Sequence, residues 1–227
     1  ERLDPSVAFE QLVVDGAELP TGAALWRVRG RARALLMAER TALNFTQRMS
    51  GVATAARAFV KALPAGSKTR IIDTRKTTPG LRALERYAVR VGGAHNHRDD
   101  LGSAVLIKDN HIVAAGGITT AIERARARST HTSRIECEVA SLAELEQALA
   151  ARADVIMLDN FSMDDVRAAV TRVAGLGAAR PMLEVSGGIT FERIAELAAV
   201  GVDLISIGAA LTHSAPGADI ALDLALG

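Results

Sequence analysis

A single cysteine, Cys137, stands among the 227 residues. An internal disulfide is therefore impossible, and a reducing compartment, the cytoplasm, is the expected setting. Aromatic residues are scarce, at 3% with one Trp and one Tyr. The core must then be assembled from Ala, Val, Leu and Ile, which suits helices packed closely on a buried parallel sheet. No apolar run approaches the ~18 residues that a membrane-spanning helix needs, so no membrane partner is expected. Neither sign of charge dominates: 27 Lys and Arg face 26 Asp and Glu, a formal net charge of +1. That balance argues against a general nucleic-acid footprint, and any anionic ligand has to be held by a local cluster of positive charge. Several signatures are missing too. There is no Gly-x-Gly-x-x-Gly fingerprint, Walker loop, Ser-His-Asp order or zinc-ligand spacing. The opening Glu1-Arg2-Leu3 shows neither an initiating methionine nor a signal peptide, so targeting information carried ahead of it would be lost from this sequence.

What is present has an ordinary globular balance, 49% apolar and 23% charged. The length suits one large domain, or a barrel with a smaller partner. Residues 1–30 are mixed, with turn signals at Asp15-Gly16 and Pro20-Thr21-Gly22. Residues 24–29 alternate weakly and read as a strand. Over 37–63, Ala38, Ala42, Phe45, Met49, Val52, Ala56, Phe59 and Leu63 recur at helical spacing. That long helix is placed to bridge two domains. Beyond it, short β-rich segments at 71–72, 104–107, 135–139, 155–158, 182–185 and 204–207 alternate with amphipathic stretches such as 142–150, 163–173 and 191–200. Such alternation predicts an α/β fold with a parallel sheet, open or closed into a barrel.

The strand ends favour the barrel. Asp73, Lys108, the acids Glu136 and Glu138, Asp159, Ser186 and Gly208 all fall at or just after the C-terminal ends of predicted strands. In a barrel those ends converge on one mouth, whereas an open sheet spreads them along an edge.

Ser186-Gly187-Gly188 ends a late strand and precedes a helix expected near Thr190. It reads either as a plain tight turn or as an anion cradle, since glycine lets backbone N–H groups approach a phosphate closely and a helix N-terminus adds a favourable dipole. Gly208-Ala209, one βα unit later, offers a second set of amides, which favours the cradle. Arg75, Lys76, His97, Arg98 and Lys108 form the positive group. Arginine grips a carboxylate with two parallel hydrogen bonds, so several such residues at one mouth imply a substrate with more than one negative group. Glu138 and Asp159, on adjacent strand ends, could hold Mg²⁺ directly or through water, or bind ribose hydroxyls. Glu136 points to the same side as Glu138, one layer deeper, and reads as the buried partner of a base such as Lys76 or Lys108. Cys137 points the other way and reads as core. His111 reads as a hydrogen-bonded structural histidine, and His213 as a neighbour of the phosphate site.

Taken together, Thr74-Arg75-Lys76-Thr77-Thr78-Pro79-Gly80, Asn96-His97-Arg98, Ile107-Lys108-Asp109-Asn110-His111, Leu158-Asp159-Asn160-Phe161 and Glu184-Val185-Ser186-Gly187-Gly188-Ile189 resemble the quinolinate phosphoribosyltransferases, the carboxylating nicotinate-nucleotide diphosphorylases. Glu39-Arg40-Thr41-Ala42-Leu43-Asn44 fits the same family. The resemblance runs from about residue 3 to the end. It implies transfer of a phosphoribosyl group from phosphoribosyl pyrophosphate to quinolinate with decarboxylation, giving nicotinate mononucleotide, pyrophosphate and CO₂ in NAD biosynthesis, with Mg²⁺. It implies that Arg75, His97, Arg98 and Lys108 bind the quinolinate carboxylates. Arg40 would complete that site from the neighbour in a homodimer or larger assembly. Lys76, Glu138 and Asp159 would be catalytic, serving phosphoribosyl pyrophosphate and its metal, and Ser186, Gly187, Gly188, Gly208 and Ala209 would take phosphate.

The implied architecture is a TIM-like α/β barrel, complete or not, with a smaller and here N-terminally truncated α/β domain. Residues 1–50 would be the remainder of that domain and the start of the bridging helix, 51–213 the barrel, and 214–227 a C-terminal helix packing back on the N-terminal domain. The nearest alternative is a paralogous phosphoribosyltransferase acting on another aromatic acid, such as the molybdenum-transport-associated relatives. A different class is a phosphate-binding barrel without catalysis.

Overall fold

The computed structural model describes residues 3–225. Glu1-Arg2 and the last two positions of the expected C-terminal helix lie outside the described residues. Strands β1 (Ala8–Gln11) and β2 (Trp26–Arg29) pair antiparallel, with Phe9 opposite Val28. The rings of Phe9 and Trp26 meet edge to face at 5.9 Å. β2 matches the expected strand; β1 was not anticipated, because Ala8-Phe9-Glu10-Gln11 carries only one large apolar side chain.

Helix α1 (Ala32–Lys61) is thirty residues long. It begins earlier than the apolar pattern suggested because residues 32–36 are strong helix formers with no breaker. It buries Leu43, Val52, Ala56 and Phe59. Gly51 lies where the C-terminal segment crosses: a Cβ there would sit 1.9 Å from the Pro216 carbonyl oxygen. The helix expected over 214–227 does not form across 214–225. Pro216-Gly217 disfavours a helix, and the backbone bonds to α1 instead. Ala218 N–H donates to Gln47 O at 2.9 Å, and Gln47 Nε2 donates to Ile220 O at 2.7 Å.

The main sheet is six-stranded and wholly parallel. It contains β3 (Arg70–Ile72), β4 (Val105–Ile107), β5 (Ile135–Val139), β6 (Val155–Asp159), β7 (Met182–Ser186) and β8 (Leu204–Ser206), in the spatial order β3-β8-β7-β6-β5-β4. A parallel bridge from Ile72 to His95 adds a rudimentary seventh position beside β3. Among the described residues no pairing joins β4 back to His95, so the barrel is incomplete. Helices α2 (Arg82–Val91), α3 (Asp109–Ala115), α4 (Ile118–Arg128), α5 (Leu142–Ala150), α6 (Met163–Ala174) and α7 (Arg193–Val200) follow the strands. Ser141 and Ser162 cap α5 and α6, accepting from Glu144 N–H and Asp165 N–H.

Side chains alternate between the two faces of each strand. One face presents Ile135, Cys137, Val139, Ile156, Leu158, Leu183, Val185 and Ile205, all at most 1% exposed within the core that the helices share. Burying each such aliphatic chain contributes about 1.5–3 kcal/mol, and Ile156→Ala would cost about 2–5 kcal/mol. The other face carries Glu136, Glu138, Met157, Asp159, Glu184, Ser186 and Ser206, matched across strands by register. The polar residues of the sheet are thereby directed into the barrel.

Candidate active site

The basic group is assembled by two ion pairs built on fully buried carboxylates, Asp73 with Arg86 and Glu85 with the half-buried Arg48. Asp73, at the end of β3, is fully buried. It accepts from His97 N–H at 2.7 Å, from Asn96 Nδ2 at 2.6 Å and from Arg86 Nη1 at 3.3 Å. Burial pushes its carboxyl above the ordinary aspartate value, and those bonds pull it back. Arg86 in turn donates to His97 O at 2.6 Å and to Arg98 O at 3.1 Å. The loop carrying His97 and Arg98 is thus pinned from beneath. Glu85, also fully buried, does the same for the loop after β3: its carboxylate accepts from Thr78 N–H at 3.0 Å, Thr78 Oγ1 at 2.7 Å and Arg48 Nη2 at 2.9 Å. Burial raises the pKa of that carboxyl, but the bonds from Thr78 and Arg48 outweigh it and leave it below the usual value.

Arg75 and Arg98 emerge from these two loops with buried Nε atoms that have no hydrogen-bond partner among the described residues. Burial, and secondarily the charge of Arg75, hold Arg98 below the usual arginine value. Two neighbouring cations whose Nε atoms have no partner suit an anion. A cleft of about 320 Å³ beside β4, α3 and α4 reaches Arg98 and His111.

Lys108 and Glu138 face each other across the β4–β5 register, in which Leu106 opposes Glu136, and their side chains form an ion pair. Glu136 was expected to partner Lys76 or Lys108. Its partner is His97, whose Nε2 lies 3.1 Å from Glu136 Oε2 and 3.7 Å from Glu184 Oε2. The loop pinned by Asp73 swings His97 over the sheet, while Lys108 is taken by the acid one layer nearer the mouth. His97 Nδ1 accepts from Arg98 N–H at 2.7 Å, so Nε2 carries the ring hydrogen of the neutral imidazole. His111 is structural as expected, its Nδ1 accepting from Lys108 N–H at 3.0 Å.

Glu184 was not singled out from the sequence. It is 1% exposed, and both its oxygens lack a hydrogen-bond partner, as does Glu136 Oε1. Burial, then repulsion from Glu136, raise its carboxyl well above the ordinary glutamate value. The only sequence signal was an acid in an otherwise buried strand. Cys137 is core: burial pushes its thiol up to about 12.

At the far side of the mouth, Asp159 is in register with Ser186. Asn160 adopts φ +56°, donates its N–H to Ser186 O at 3.0 Å and its Nδ2 to Asp159 Oδ2 at 2.8 Å. Gly187 packs directly on it: a Cβ at Gly187 would lie 2.2 Å from Asn160 Oδ1. Gly188, at φ +56°, faces open space. Gly208 lies beneath Lys76, its hypothetical Cβ 3.6 Å from Lys76 Cδ. Among the described residues, no acceptor is found for the N–H groups of Gly187, Gly188, Gly208 and Ala209. Free amides grouped on successive βα turns fit a phosphate. The helix dipole expected behind Ser186 is set back, because α7 starts only at Arg193. Arg40 lies exposed on α1.

Comparison with known proteins bears on this geometry. Residues 1–50 match the N-terminal domain of quinolinate phosphoribosyl transferase, and residues 52–223 match its C-terminal domain. The chain belongs to the quinolinate phosphoribosyl transferase family. It is 48% identical over 212 residues to the nicotinate-nucleotide pyrophosphorylase (carboxylating) of Mycobacterium leprae, covering 93% of this chain and 73% of that protein. With the human protein of the same name it shares 43% identity over 211 residues, covering 92% and 70%. The crystal structure of NadC from Streptococcus pyogenes superposes with a TM-score of 0.88 at 43% identity, covering 96% of this chain and 75% of that one. Family membership accords with the TIM-like barrel and its smaller companion domain. No helix among the described residues is long and apolar enough to cross a membrane.

Proposed function

We propose that this chain transfers the phosphoribosyl group of phosphoribosyl pyrophosphate to quinolinate, with loss of CO₂, yielding nicotinate mononucleotide and pyrophosphate in NAD biosynthesis. One observation carries the reading beyond family membership: two arginines at one side of the mouth, Arg75 and Arg98, whose Nε atoms have no partner among the described residues, stand across strand ends from the free amides of Gly187, Gly188, Gly208 and Ala209. The first set suits a diacid and the second a phosphate.

Arg75, Arg98 and Lys108 grip the two carboxylates, and His97 fixes the wall of that pocket from its seat on Glu136. The amides of the cradle, with Ser186, take the 5′-phosphate. The pyridine nitrogen is already a nucleophile, so no enzyme nucleophile is required. It bonds to the anomeric carbon as the bond to pyrophosphate breaks, and the bonding pair leaves with pyrophosphate. Glu138 and Asp159 stabilise the positive charge that develops on the ribose, and Lys76 neutralises the leaving group. Holding both substrates in line contributes on the order of 7–11 kcal/mol in favourable cases. The alkylated ring nitrogen then stabilises the electron pair left at C2 as CO₂ departs, and C2 takes a proton.

Glu138 and Asp159 are partly exposed carboxylates on neighbouring strand ends, a hard-oxygen donor set that suits Mg²⁺ directly or through water. Bound there, Mg²⁺ would supply charge neutralisation for the pyrophosphate. The cluster of His97, Glu136 and Glu184 suits a cation less well, because both ring nitrogens of His97 are already engaged. Arg40 lies exposed on α1, one turn beyond the exposed Leu36 and Met37, which are 53% and 61% exposed. That surface supports a homodimer in which Arg40 completes the neighbour's site. We place the enzyme in the cytoplasm.

Steady-state turnover with phosphoribosyl pyrophosphate and Mg²⁺, comparing quinolinate with nicotinate, tests the assignment. Nicotinate mononucleotide should form from quinolinate alone. Turnover of nicotinate would favour a paralogous enzyme, and binding without any turnover would favour a non-catalytic barrel.

A further inference from the structure

We infer that Thr212, supported by Arg48 and Glu85, is a positioning residue that locks the Lys76 backbone over the Gly208–Ala209 cradle, and so selectively governs the grip on the phosphoribosyl donor. The inference rests on the reading of Lys76 and that cradle given above. Thr212 is completely buried and touches no open surface. Its Oγ1 donates to the Lys76 carbonyl at 2.8 Å and lies 3.3 Å from the Gly208 carbonyl. Its own N–H donates to Ala209 O at 3.1 Å. One residue therefore ties the loop after β3 to the loop after β8.

The tie is itself held. Arg48, from α1, donates through Nη2 to Thr212 O at 2.6 Å and to Glu85 Oε1 at 2.9 Å, and through Nη1 to Ala215 O at 2.8 Å. Glu85 holds Thr78, two residues after Lys76. The knot thus holds the Lys76 carbonyl and the backbone two residues beyond it. Lys76 needs such an anchor because its side chain is exposed and long, with much rotamer freedom to lose on binding. Fixing its carbonyl fixes where the aliphatic stem starts, and the stem then passes over Gly208, where a Cβ would lie 3.6 Å from Lys76 Cδ. Arg75, on the quinolinate side, shares the loop that Glu85 pins but has a further tie of its own: its carbonyl accepts from Thr77 N–H at 3.0 Å and Arg82 Nη2 at 3.3 Å. That tie does not pass through Thr212, so losing the Thr212 hydroxyl bond falls first on Lys76.

The test is calorimetric binding of phosphoribosyl pyrophosphate with Mg²⁺, and separately of quinolinate, to the full chain and to T212V and T212S. Valine keeps the shape and removes the donor; serine keeps the donor. T212V should weaken donor binding about five- to tenfold, the scale of one internal hydrogen bond, while quinolinate binding stays within about twofold. T212S should restore donor binding. If T212V does not fold, T212A carries the same test, since it also removes the hydroxyl donor and leaves the Arg48–Glu85 pair in place. Equal losses for both substrates, unchanged donor binding, or a serine variant as weak as valine would overturn the inference. A wild-type chain that binds neither substrate would instead sink the functional reading on which it rests.

Discussion

Lys108 and Glu138 are ion-paired across neighbouring strands, although one is assigned to the diacid and the other to the ribose and metal. Under the proposed roles, the diacid must share or take over a lysine that Glu138 already holds. Glu138→Gln weakens that competition. We expect quinolinate binding in E138Q to be unchanged or tighter, while kcat falls by about 10²–10³, the range seen when one stabilising group of a charged transition state is lost. Binding calorimetry beside steady-state kinetics separates the two effects. A variant with weaker quinolinate binding and intact kcat would contradict the assignment.

Arg98 belongs to the proposed diacid pocket, with a buried Nε that has no partner among the described residues. Removing a charged hydrogen-bond donor costs about 1.5–3 kcal/mol. Arg98→Ala should weaken quinolinate binding roughly 10- to 100-fold and phosphoribosyl pyrophosphate binding far less. Titrations in which both affinities fall together would count against a dedicated diacid pocket.

Glu184 makes stability depend on pH in a defined direction. Burial, then Glu136, raise its carboxyl well above the ordinary value; His97, Glu136, Lys108 and Ser206 are the polar groups facing it. The folded protein binds this proton more tightly than the unfolded chain does, so the wild type loses stability as pH rises from the ordinary glutamate range toward the raised value. Gln at the position does not titrate. Tm followed from about pH 4.5 to 8 should show E184Q gaining steadily on the wild type. Parallel curves would mean that Glu184 is ionised like a surface glutamate.

Cys137 offers a sharper negative expectation. With its thiol pushed up to about 12 by burial, it should resist a disulfide reagent at neutral pH in the native protein and react once the chain is denatured. Cys137→Ala should keep turnover. Rapid labelling of the folded enzyme would place the sulfur in the site after all.

Much of this was readable from the sequence, for physical reasons. Strands β3 to β8 announce themselves because both faces of a barrel strand are constrained: Ile135, Cys137 and Val139 must face helices, while Glu136 and Glu138 must face the mouth. The basic residues stood out because they follow those strands. Helix α2 did not, because its buried face includes Glu85 and Arg86, charged residues that break the apolar periodicity. Their burial is explained only by Asp73, Arg48 and Thr78, which are distant in the chain or across the fold. Glu184 lacked a signal for a related reason. Its place beside His97 depends on the β6–β7 register and on a loop swung inward by Asp73, neither of which is local. The helix expected over 214–227 misread Ser214-Ala215-Pro216-Gly217, a segment whose path is fixed by the bare backbone of Gly51 on α1.

The central claim is that one mouth both joins the ribose to the pyridine nitrogen and releases the adjacent carboxyl. Quinolinate labelled in its 2-carboxyl group, supplied with phosphoribosyl pyrophosphate and Mg²⁺, tests it most directly. The account predicts labelled CO₂ in step with nicotinate mononucleotide, and none when the label is in the 3-carboxyl. Product formed without CO₂ release, or no release from the 2-carboxyl under saturating substrates, would contradict it.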